Sequence, residues 1–178
     1  MGQPYRTAER LERGLVVLPG IEGRSGFNEA ICRGLDEGGV GCAIELYDWT
    51  SSLGLFYNLR AQGRNRRVAW NIVWRIRQYQ WDYPGRPVVL VGQSGGGAMA
   101  VWAGGQMLEG HKVDGIILLA ASLSPEYILD FALENSRQGI INFHSLRDWI
   151  LLGLGTTVYG TMDGRHTPSA GRVAFNVP

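Results

Sequence analysis

The chain has little that would tie it to a membrane, a disulfide scaffold or a polyanion. Cysteine occurs twice in 178 residues, at Cys32 in a predicted helix and Cys42 in a predicted strand. A pair so placed reads as reduced packing residues and excludes a disulfide framework. Long apolar runs are missing. Even "WILLGLG" (149–155) is short and broken by glycine, well below the ~20 residues that cross a bilayer. Neither sign of charge is in excess, with 17 basic against 16 acidic side chains, so no global field draws nucleic acid or an anionic membrane. The first residues, "MGQPYRTAERLERG", lack the apolar centre of a signal peptide, and Arg6 stands where a myristoylation signal needs Ser or Thr. Histidine is scarce, at His111, His144 and His166, and no Cys/His cluster, HExxH pattern or Ca²⁺-loop spacing occurs. The expectation is a cytoplasmic protein with no metal, no cofactor and no nucleic-acid partner. Its copy number stays open.

What is present is apolar, at 45% of residues, enough for one well-buried core. We read residues 1–178 as a single domain. Five apolar, β-branched runs recur at 14–20, 39–49, 86–92, 113–121 and 138–145, and each lacks the polar alternation of a half-exposed strand. Such runs suit parallel strands covered by helices on both faces. Helical stretches separate them. "SGFNEAICRGLDEGG" offers Ser25 or Asn28 as a cap, and "NRRVAWNIVWRIRQYQW" sets Val68, Ile72, Ile76 and Tyr79 on one stripe. A third helix is expected from Ser94 to near Gly110, and a fourth from Ser124-Pro125-Glu126. The fold class expected is therefore a three-layer, doubly wound α/β domain with a mostly parallel sheet of five to six strands. The chain between the fourth and fifth strands suffices for one helix only, which leaves no room for a lid domain. The arginines interleaved with Trp70 and Trp74 read as a solvated helix face whose aromatics turn to the core.

"GQSGG" (92–96) fits G-x-S-x-G, and it stands between a predicted buried strand and a predicted helix. A nucleophile at such an elbow sits in a strained backbone conformation. The residues two before and two after it, Gly92 and Gly96, must then be small for strand and helix to pack closely. A Walker loop would need Lys before Ser/Thr, and a dinucleotide fingerprint would need G-x-G-x-x-G at the first strand; neither is present.

In its elbow and its order of elements the sequence resembles the α/β-hydrolase superfamily. The resemblance implies that Ser94 is an acylated nucleophile acting on a carboxylic ester or thioester, with the Gly95 N–H as half of an oxyanion hole. The other half would come from the loop after the first strand, where the Ile21 N–H is the candidate. Family order, nucleophile then acid then base, selects Asp148 after the fifth strand and then His166, with Glu126 the runner-up acid. Two layouts remain open for His166. If "TTVYGT" (156–161) is a sixth strand, His166 follows it at the catalytic edge. If "RVAFNV" (172–177) is that strand, His166 feeds it from the opposite edge, and the base lies beyond Pro178 in a chain truncated at its C-terminus. A non-catalytic binding protein that keeps the elbow as architecture is the rival reading, and a phosphate binder using the same helix end is a third.

Overall fold

A computed structural model describes residues 4–20, 25–145 and 160–176. Among the described residues five strands form one sheet: β1 (Leu15–Gly20), β2 (Ala43–Asp48), β3 (Val88–Gln93), β4 (Gly115–Leu119) and β5 (Ile140–Phe143). All pairings are parallel, in the order β2-β1-β3-β4-β5. Parallel neighbours need crossover connections, and helices supply them. They are α2 (Gly26–Glu37) between β1 and β2, α3 (Leu55–Arg60) and α4 (Gln62–Asp82) before β3, α5 (Gly95–Gly105) before β4, and α6 (Asp130–Glu134) before β5. The short α1 (Ala8–Leu11) precedes the sheet and α7 (Ala170–Val173) follows it.

The period of two along each strand divides the apolar residues between two cores. Leu15, Val17, Val88, Leu90, Ile116 and Leu118 face α4 and α5, whereas Val16, Ile44 and Val91 pack with Cys32 of α2 on the other face. Both faces are apolar, which is why the strands read as unbroken hydrophobic runs. The result is an α/β domain with helices on both sides of one parallel sheet.

The helix α5 runs through the core, with Gly95 to Gly104 all buried. Its small residues allow this. A Cβ on Gly104 would come within 2.6 Å of Ile116 Cδ1, and one on Gly97 within 2.8 Å of Ala121 Cβ. Ala69, Ile72, Val73, Ile76 and Tyr79 carry the buried stripe of α4, each large side chain removing ~1.5–3 kcal/mol of apolar surface from water.

Three expectations need correction. The helix after Ser124 is confined to Asp130–Glu134, and Ser124 lies in a turn where its N–H and hydroxyl donate to Asp163. Trp70, Trp74 and Trp81 are exposed, so the aromatics of α4 do not all turn inward; among the described residues Trp49 and Trp102 are the buried tryptophans. Over its described residues, 172–176, "RVAFNV" is not a strand. Residues 170–173 are helical, and Gly171 N–H bonds Ala121 O while Ser145 N–H bonds Gly171 O, so this segment bridges the exits of β4 and β5. "TTVYGT" lies outside the described residues except for Gly160 and Thr161, which are not in a strand.

Candidate functional site

Ser94 terminates β3 and caps α5 with φ 52° and ψ −120°, a left-handed conformation that a side chain rarely adopts. Three backbone hydrogen bonds hold it there. Its N–H donates to Leu119 O at 3.0 Å, and its carbonyl accepts from the N–H groups of Gly97 and Ser122, each at 3.0 Å. A serine at a helix N-cap ordinarily turns its oxygen onto the first-turn amides. Here the hydroxyl makes no capping bond, because the positive φ carries it out of the usual cap geometry. The residue is half-buried, and its oxygen is not taken up by the helix.

The tightness of the bend explains Gly92. A Cβ there would fall on the Gly96 carbonyl oxygen and lie 2.6 Å from Gly97 Cα, so only glycine lets β3 and α5 cross so closely. The amides of Gly95 and Gly96 open α5 with no preceding helical carbonyl to bond, at the positive end of the helix dipole. Ser94 also ends the strand at which the order reverses, since β1 connects outward to β2 while β3 connects the other way to β4. In open α/β sheets such a crevice is where ligands bind.

Of the other sequence-derived candidates, Ile21 and Asp148 lie outside the described residues. His166 is exposed, on a turn closed by Thr161 N–H to Arg165 O at 2.8 Å and by Arg165 N–H to Thr161 Oγ1 at 3.1 Å. That turn is tied to the elbow through two backbone bonds in series: Met162 N–H to Ser122 O at 2.8 Å, then Ser122 N–H to Ser94 O. It therefore shares the edge of the sheet that carries Ser94. His144 is exposed just after β5, and His111 lies at the opposite edge, where its Nδ1 is 3.1 Å from Gln80 Oε1. Glu126 is exposed in the turn after Ser124.

One residue escaped the sequence reading. Asp163 accepts from both the N–H (2.9 Å) and the hydroxyl (2.5 Å) of the fully buried Ser124, fastening the His166 turn to the chain leaving β4. Its signal was the Asp163-Gly164 pair, a turn dipeptide whose glycine has φ 82°.

Neither cysteine competes as a nucleophile, because burial raises the pKa of Cys32 and of Cys42 and suppresses the thiolate. Among the described residues no three His, Cys, Asp or Glu side chains converge as a metal site would require, and no helix is long and apolar enough to cross a membrane. No known family model and no curated protein matches the chain.

Proposed function

We propose that the chain is a serine hydrolase of the α/β-hydrolase type, cleaving a carboxylic ester or thioester through an acyl-enzyme. The observation that carries this reading is the strained, uncapped Ser94 at the bend between β3 and α5. Backbone strain clusters at functional sites, and here it keeps a hydroxyl off the amides that would otherwise bind it.

In the reaction Ser94 Oγ attacks the acyl carbon while a histidine takes its proton. The Gly95 N–H steadies the developing oxyanion together with the Ile21 N–H. The tetrahedral adduct collapses, the C–O or C–S bond breaks, and the histidine returns the proton to the leaving alcohol or thiol. Water then attacks the acyl-enzyme by the same route and releases the acid. His166 is the base and Asp148 its orienting carboxylate in this reading. Removal of one oxyanion donor commonly costs ~3 kcal/mol of transition-state stabilisation.

Labelling with a fluorophosphonate tests the proposal. Wild type is expected to react and Ser94→Ala to remain unlabelled; equal labelling of the two would overturn it.

A further inference from the structure

An open cleft of about 510 Å³ lies between α4 and the N-terminal segment, at the end of the sheet opposite Ser94. Its volume is within the ~300–1,000 Å³ that holds small molecules. Its wall combines Arg6, Arg75 and Arg77 with Trp74, Trp81 and Tyr83.

The charge of this wall is unbalanced. Glu45 is nearly fully buried and commits both oxygens: Oε2 to Arg6 Nε at 2.8 Å, and Oε1 and Oε2 to Arg75 Nε and Nη2 at 2.6 and 3.1 Å. One carboxylate thus serves two guanidinium groups, and Arg6 Nη1 and Nη2 and Arg75 Nη1 lie outside that ion pair. Arg77 sits over the Trp74 ring, 5.1 Å from its centroid. Asp82 is the second of two carboxylates that line the cleft, so its three arginines exceed them by one positive charge. Two indoles stand in water here, Trp74 at 54% and Trp81 at 87% exposure. Both could gain from a flat partner.

We infer that this cleft binds a planar aromatic carboxylate. The guanidinium donors outside that ion pair match a carboxylate, and the exposed indoles supply faces for an aromatic ring. One surplus charge matches a monoanion. It does not match a dianionic phosphate or a nucleic-acid strand, which Asp82 would repel. The site is independent of Ser94 and stands whether or not the serine is catalytic.

Isothermal titration calorimetry with 2-naphthoate tests it. The expected result is saturable binding of one ligand per chain, unchanged in Ser94→Ala. The neutral isostere 2-naphthamide should bind about tenfold more weakly, as should 2-naphthoate to Arg6→Met and to Trp81→Ala. Both variants change exposed side chains, and Arg6→Met leaves Glu45 paired with Arg75, so each should fold. No saturable heat up to about 1 mM, or affinities unaltered in both variants, would overturn the inference. So would displacement of 2-naphthoate by inorganic phosphate or a short oligothymidylate at lower concentration.

Discussion

Substitution of Ser94 by glycine should stabilise the protein while removing the hydroxyl. At φ 52° and ψ −120° a Cβ is strained by ~1–3 kcal/mol, and glycine carries none of that strain. Against this, glycine gains freedom in the unfolded chain worth ~0.4–1 kcal/mol. The hydroxyl makes no capping bond, so its loss adds little. The balance is a gain of about 1 kcal/mol, or a rise in Tm of roughly 2–4 °C for a chain of this size. The control is Ser94→Ala, which keeps the Cβ and the strain and should stay within ~0.5 kcal/mol of wild type. Urea unfolding followed by circular dichroism reads both, and the two variants should differ in midpoint at equal slope. If Ser94→Gly is no more stable than Ser94→Ala, the bend is not strained, and the argument from stored strain fails.

Gly92→Ala should lose ~1–3 kcal/mol or more, because backbone atoms of Gly96 and Gly97 occupy the place of the new methyl; Gly34→Ala, in α2 with nothing within 4 Å, is the matched control and should be neutral or stabilising in the same urea titration. Asp163→Ala strands the N–H and O–H of the buried Ser124, for an expected loss of ~2–3 kcal/mol, and limited proteolysis should then cut near Arg165 sooner than in wild type. Tyr79 donates to Leu11 O at 2.5 Å and is pushed up to about 12, chiefly by burial. Its folded pKa exceeds the unfolded value near 10, so its contribution is complete below pH ~10 and is lost as pH rises toward 12. Tyr79→Phe should therefore be less stable at neutral pH and show a shallower alkaline decline; an identical decline in both proteins would refute the assignment.

The sheet was legible because its central strands are apolar on both faces, as in Val88–Val91, although the edge strand β5 leaves Ile141 and Phe143 exposed. The bend at Ser94 was legible for a local reason: Gly92 and Ser94 lie within three residues, and so does the steric demand that links them. Where partners are distant, the pattern misled. Ser124-Pro125-Glu126 has the chemistry of a helix start, yet Ser124 is held in a turn by donating its N–H and hydroxyl to Asp163, 39 residues away. "RVAFNV" has strand composition, but the amides of Arg172, Val173 and Ala174 close a short helical turn on Ser169 O and Ala170 O, and that of Asn176 bonds Pro125 O. The periodicity of α4 located Ile72, Ile76 and Tyr79 correctly and was silent on Trp74 and Trp81, because a stripe says which side chains go inward and nothing about how much sheet is left to cover the rest. At the candidate site, the position of His166 depended on a long return of the chain, which no short-range signal encodes.

Among the described residues, the ties that fix the elbow belong to the main chain and none passes through the Ser94 side chain. The scaffold is therefore indifferent to which reactive group it displays there, and strict only about the hydrogen atoms at Gly92 and Gly97. The demands of folding at this turn fall on main-chain atoms and on two glycines, so the side chain at position 94 can be exchanged while the surrounding frame persists.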